Sequence, residues 1–287
     1  MWIAICSIDQ KNNIMTKTIF ITGASSGIGK TTATYFAERG WNVAATMRKP
    51  EQETELLKYE GIKIYALDVL DEKSIQKAYQ AALNDFGHLD VLVNNAGYAA
   101  LGPFEAADKT QIEKQFDTNV IGLMSVCKAF IPYFRERRAG TIINIASVGG
   151  QVTFPLYSLY HGTKWAVEGF SESLSFELRK FNIKIKIIEP GAIKTDFYDR
   201  SPDILKRDDF HIYDTYVNQV SANIAKAAQS APGPEVVAKT IWKAANSNHF
   251  RLRYAVGSGA PFLLFLRRVL PNSWFMGMVG KLLEHKF

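Results

Sequence analysis

Cysteine is nearly missing from the 287 residues: Cys6 and Cys127 are the only two, far apart and outside any CxxC pattern. That spacing excludes a disulfide framework and a thiolate metal knuckle, and it fits a reducing, cytoplasmic location. Histidine is sparse as well, with five residues and no HxxxH or HExxH pair, so no metal site is expected. No apolar run approaches the roughly 18 residues of a membrane-spanning helix. There is no internal repeat and no low-complexity segment, which excludes solenoids and compositionally biased tails. Arginine clusters such as Arg135, Arg137 and Arg138 come without an aromatic-interleaved basic stripe, so nucleic acid is not an expected partner. The first 14 residues have a short apolar start broken by Asp9, with no basic lead and no small-residue cleavage site. They do not read as a signal peptide, and residues 1–16 are expected to be a disordered N-terminal extension.

What is present is ordinary for a folded domain: 47% hydrophobic and 22% charged residues suit a chain with a sizeable core. The 34 basic against 28 acidic side chains give +6, a mild preference for anionic partners that a phosphorylated cofactor would satisfy. From Thr18, short runs rich in Ile and Val alternate with longer helical patterns. Strands are expected at 18–22, 42–47, 63–67, 91–94, 141–146, 184–188 and 254–256, and helices at 28–39, 52–58, 72–86, 109–137, 159–180 and 235–247. Such alternation predicts an α/β fold, a Rossmann-type doubly wound parallel sheet of about seven strands, as a single domain over 17–260. After Pro190 the periodicity weakens, and residues 193–230 read as an insertion covering a substrate. Residues 261–287 form an amphipathic tail expected to pack on the same domain, with membrane-surface association or a subunit contact as alternatives.

Two stretches carry chemistry. Thr22-Gly23-Ala24-Ser25-Ser26-Gly27-Ile28-Gly29 lies between the first strand and its helix. Glycines there permit a tight turn and let backbone approach a pyrophosphate at a helix N-terminus. Further on, Tyr160 and Lys164 are four residues apart, so on a helix they share one face. A free phenol has a pKa of about 10, and a neighbouring ammonium lowers it by favouring the phenolate. Tyr157 lacks this relation, because its own i+4 residue is His161. His161 points off the shared face, and no catalytic role is expected for it.

In order along the chain come the glycine stretch, Asp68, Asn94-Asn95-Ala96-Gly97, Asn119, Ser147, Tyr160 with Lys164, and Pro190-Gly191 ahead of Thr195. This set resembles the short-chain dehydrogenase/reductase family, in its compact single-domain branch, over about Thr18 to Thr195. The resemblance implies that Tyr160 is the general acid in carbonyl reduction and the general base in alcohol oxidation. Lys164 lowers its pKa and grips the nicotinamide ribose, Ser147 donates to the substrate oxygen, and Asn119 holds a proton-relay water. The implied cofactor contacts are Gly23, Ser25, Ser26, Gly27, Ile28, Gly29, Arg48, Asp68, Val69, Asn95, Ala96, Gly97, Tyr160, Lys164, Pro190, Gly191, Ile193 and Thr195. Asn94 is expected to stabilise the sheet. At the end of the second strand, Ala45-Thr46-Met47-Arg48-Lys49 has no acid for the ribose hydroxyls of NAD. Arg48 can instead pair a 2′-phosphate, which favours NADP(H), with NAD(H) as the second choice.

Val148, Gln151, Phe154, Tyr157, Phe197 and Tyr198 are expected to line the substrate side, and their apolar character suggests a hydrophobic ketone, aldehyde or secondary alcohol. The implied activity is that of an NADP(H)-dependent carbonyl reductase or alcohol dehydrogenase. A catalytically idle NADP-binding sensor or scaffold is the alternative. The stretches GWNVAATMRKP and Arg253-Tyr254-Ala255-Val256-Gly257 further resemble the retinol and 17β-hydroxysteroid dehydrogenase neighbourhood. A homodimer or homotetramer built through the 109–137 and 159–180 helices is also implied.

Overall fold

In the computed structural model, residues 16–195, 202–207 and 210–284 are described. Seven strands form one parallel sheet: β1 (Thr18–Ile21), β2 (Asn42–Met47), β3 (Ile62–Ala66), β4 (Val91–Asn94), β6 (Gly140–Ile145), β7 (Ile183–Pro190) and β9 (Arg253–Val256). Their spatial order is β3-β2-β1-β4-β6-β7-β9, with Ile19 of β1 in register with Val43 on one side and Val91 on the other. The order reverses between β1 and β4, and at such a switch point the loops leave the strand ends in opposite directions and open a crevice.

Both faces of the sheet are covered, which is why its strands read as unbroken apolar runs. Side chains alternate across the pleat: Phe20, Leu92 and Ile142 enter the core under α2 (Glu72–Phe86), α4 (Gly122–Arg137) and α5 (Ser158–Arg179). Their neighbours Ile19, Ile21, Val93 and Ile143 enter the opposite core, beneath α1 (Gly27–Ala37) and α7 (Glu235–Ala245). Phe20 packs edge-on against Phe130 of α4 at 4.9 Å. Each such fully buried phenylalanine is worth about 1.5–3 kcal/mol over exposure.

Two expectations need correction. The helix expected at 52–58 is two 3₁₀ turns, Pro50–Gln52 and Leu56–Lys58. The Glu53 carboxylate accepts from the backbone N–H of Glu55 and Leu56 at 2.8 and 3.1 Å, and side-chain bonding of this kind competes with helical pairing. The long helix expected at 109–137 is α3 (Lys109–Phe116), a π turn at Asp117–Ile121, and α4. An Asp108–Gln111 capping box fixes where α3 starts. Within the stretch read as a substrate-covering insertion, two described segments are regular. β8 (Pro202–Ile204) pairs in parallel with β5 (Ala99–Leu101), and α6 (Asp214–Ala228) follows. The extension expected at the N-terminus lies outside the described residues, apart from position 16.

Residues after β9 form α8 (Ala260–Val269) and α9 (Asn272–Leu283). Their inner side chains, Phe275, Val279 and Leu283 foremost, make a third core with Val148 and Val152. Positions more than 100 residues apart in the chain are thereby joined beside the end of β6.

Candidate active site

A cleft of about 660 Å³ opens at the C-terminal ends of the sheet strands. Its floor is backbone. Gly23 (φ +67°) sits so close to the β4 loop that a Cβ would come within 2.8 Å of Ala96 Cα. A Cβ on Gly29 would collide with the Gly23 carbonyl and lie 2.5 Å from Asn95 Nδ2. The two loops are stapled: Thr22 Oγ1 accepts from the N–H of Asn95 and Ala96 at 3.0 and 3.1 Å. Asn95 Nδ2 donates back to the carbonyls of Thr22 and Gly23 at 3.0 and 2.9 Å. Ser26 is the N-cap of α1, and its side chain makes no capping bond, which leaves first-turn amides to an anion. Arg48 and Asp68 stand on the same cleft wall. All the expected cofactor contacts line this cleft except Gly29, which sits directly beneath it. Its close backbone, free helix amides and cation fit a phosphorylated dinucleotide.

Ser147, Tyr160 and Lys164 meet on the cleft wall. α5 presents Tyr160 and Lys164 from one face, and Lys164 Nζ lies 5.6 Å from the Tyr160 ring centre. The ammonium donates to the Ile145 carbonyl at 2.8 Å. Burial pulls its pKa down to about 8, while the Glu168 carboxylate one turn on works the other way. Ser147 Oγ accepts from Gly149 N at 3.0 Å and reaches the Pro190 carbonyl at 3.4 Å. Asn119 lies behind the wall, inside the π turn. Its Oδ1 accepts from Tyr98 N at 3.1 Å, and its Nδ2 donates to Tyr98 O and Thr163 Oγ1 at 2.9 and 3.1 Å. Asn94 is in the sheet interior, where its Nδ2 donates to Asn144 Oδ1 at 2.9 Å.

Of the residues expected on the substrate side, the four described ones, Val148, Gln151, Phe154 and Tyr157, do not line this cleft. Val148 is buried in the third core. Gln151 turns its amide onto the Glu189 carboxylate. Tyr157 is stacked on His161 at 5.2 Å, and Phe154 meets the same imidazole edge-on at 5.6 Å. The Phe154 N–H donates to His161 Nδ1 at 3.2 Å. Burial drives His161 down to about 4, so the ring is neutral and free to accept this bond. These residues form a packed shell behind the catalytic loop. Phe197 and Tyr198 lie outside the described residues.

Two groups are not evident from motif spacing. Tyr98, Lys114, Thr118 and Asp203 line the cleft, and Asp203 of β8 is held by Gln111 Nε2 at 2.7 Å and Lys114 Nζ at 3.7 Å. Only the place of Thr118 beside Asn119 hints at this. The second group holds two buried carboxylates: half-buried Arg253 donates through Nε to Glu168 Oε2 at 2.9 Å and lies 3.9 Å from Glu189. Burial, with Glu189 adding to it, pushes the Glu168 carboxyl up to about 8. The available signal was that Glu168 continues the Tyr160–Lys164 stripe.

Residues 17–203 match the family model for short chain dehydrogenase. The chain is 36% identical over 276 residues to the uncharacterized oxidoreductase YusZ of Bacillus subtilis strain 168, covering 92% of this chain and 98% of that one. It is 40% identical over 181 residues to a 3-ketodihydrosphingosine reductase of Bacteroides thetaiotaomicron, covering 63% of this chain and 65% of that one. Among solved structures it resembles ElxO with NADP bound, with a TM-score of 0.72 and 30% identity over 86% of this chain and all of that one.

Proposed function

Because the chain belongs to the short-chain dehydrogenase family and is a nicotinamide-dependent oxidoreductase, we propose that it interconverts an apolar carbonyl compound and its alcohol, with NADP(H) as cofactor and Tyr160 as the proton carrier. The observation that carries this reading is the meeting of Tyr160, Lys164 and Ser147 on the wall of a dinucleotide-sized cleft.

When bound, the nicotinamide supplies or accepts the hydride. Tyr160 gives the proton to the substrate oxygen in reduction and takes it back in oxidation. Lys164, held at the Ile145 carbonyl, keeps a positive charge one helical turn away and so eases loss of the phenolic proton. Ser147, tethered by Gly149 N–H, donates to the oxygen on which charge develops. Asn119 positions a relay water through its π turn, a distortion that recurs at functional sites. Arg48 pairs the 2′-phosphate, where an acidic residue would repel it. An apolar substrate is supported by the 40%-identical relative, which is named a 3-ketodihydrosphingosine reductase.

The test is Tyr160→Phe, assayed by NADPH oxidation against a panel of apolar ketones and aldehydes. Turnover should fall by about a thousandfold, within the range of a lost general acid, while NADPH affinity changes less than threefold. Near-normal turnover in the variant would sink the mechanism. Tight NADPH binding by the native chain without turnover of any ketone would favour the sensor reading.

A further inference from the structure

Six of the 16 large apolar side chains that stand exposed among the described residues fall within α8 and α9: Phe262 (64%), Phe265 (58%), Val269 (53%), Trp274 (70%), Met276 (48%) and Leu282 (62%). Scattered exposed apolar residues mean little, but a cluster on one element marks a contact surface. The inner faces of these helices are already occupied by the third core, so the exposed side chains are left over from that packing. On α8, Phe262, Phe265 and Val269 recur at i, i+3 and i+7, with exposed Arg268 beside them. On α9, Trp274 and Lys281 are seven positions apart and both exposed, which places them on one helix face.

The charge of this surface selects its partner. Within α8 and α9 there is no acidic residue, and the basic ones are Arg267, Arg268 and Lys281. Glu284 is turned onto the Tyr216 hydroxyl at 2.9 Å. A surface that offers phenylalanine, tryptophan and leucine with arginine and lysine, and no opposing carboxylate, is repelled by its own copy and attracted by an anionic interface. No helix among the described residues is long and apolar enough to cross a membrane, so the match is to helices lying in the bilayer interface.

We propose that α8 and α9 dock the protein on the surface of an anionic phospholipid bilayer, with Phe262, Phe265 and Trp274 entering the headgroup boundary and Arg268 and Lys281 meeting lipid phosphates. Docking does not depend on the proposed reaction. Tail burial supplies the apolar part of the affinity, and the cations add a salt-sensitive part.

The full chain should co-sediment with phosphatidylglycerol/phosphatidylcholine vesicles about tenfold better than with phosphatidylcholine alone, and 0.5 M salt should remove most of the difference. Vesicles carrying brominated lipid should quench part of the tryptophan fluorescence, and Trp274→Phe should lose that part. The double variant F265S/W274S should lower partitioning at least about tenfold. R268E/K281E should abolish the preference for anionic lipid. All three variants should keep NADPH affinity, which shows that they are folded. Equal sedimentation with neutral vesicles, unchanged partitioning in F265S/W274S, or quenching that survives Trp274→Phe would each overturn the proposal. So would a concentration-dependent dimer of the native chain that F265S/W274S dissociates, since a second copy would then cover the face.

Discussion

The two sides of the catalytic loop are built to different tolerances. On the nucleotide side, backbone meets backbone: Gly23 and Gly29 have no room for a methyl group, and Thr22 and Asn95 lock the two loops through four hydrogen bonds. On the other side, Val148 and Val152 rest on side chains from α8 and α9, more than 100 positions away. The first arrangement depends on the close approach of two short loops that leaves no room for a side-chain atom. The second depends on filling a volume, which many side chains can do. The two should therefore fail independently.

The strongest way to break this contrast is to empty the third core. Phe275 is completely buried in the third core, and Phe275→Ala should cost about 3–5 kcal/mol of the stability of that region. Hydrogen exchange should rise across α8 and α9, while NADPH affinity should stay within threefold of native. If NADPH binding collapses as well, the two sides form one cooperative unit.

The reciprocal change is Gly29→Ala. Its methyl group must displace the Gly23 carbonyl and the Asn95 amide, and neither is the free end of a flexible chain. NADPH affinity should fall about a hundredfold, or roughly 3 kcal/mol, and hydrogen exchange in α8 and α9 should not change. Fluorescence titration of NADPH checks the first part. An unimpaired cofactor affinity would show that the loops give way more easily than their contacts indicate.

This difference also explains what could be read from the chain alone. Local backbone demands leave local marks, so the glycine stretch, Asn94–Gly97 and the Tyr160–Lys164 spacing all announce their places. Long-range choices do not. Nothing near Gln151 indicates that its amide turns to Glu189, and nothing near Arg253 indicates a carboxylate 85 positions earlier. The π turn at Asn119 follows helical sequence on both sides, so periodicity carries one helix through it. Glu53 likewise sits in a stretch of helix formers, and only its side-chain bonds reveal why they do not form one.

A third change probes the shell between the two sides. His161 is driven down to about 4 by burial, below its ordinary value of about 6.5. The unfolded chain therefore binds a proton that the folded chain refuses between these values, and stability is lost as pH falls through that window. At pH 5 this amounts to about 2 kcal/mol. The unfolding free energy from urea titration should drop between pH 7.5 and pH 5 by that much more for the native chain than for His161→Gln. Parallel drops in both would place the acid sensitivity elsewhere, for instance in the ion pairs of Arg253.

The smallest expected effect returns to the nucleotide side, at a contact made by a side chain and not by the glycine backbone. Arg48 stands on the cleft wall with no acidic neighbour at the end of β2. If it pairs the 2′-phosphate, Arg48→Ala removes a charge-assisted hydrogen bond worth about 1.5–3 kcal/mol. NADPH should then bind at least about tenfold more weakly while NADH is unaffected. Because the glycine floor is untouched, the loss should appear in the ratio of the two affinities and not in either fold stability or turnover at saturation. Equal weakening for both cofactors would mean that Arg48 holds the adenosine as a whole, and that selectivity lies with Ser25, Ser26 or Asp68.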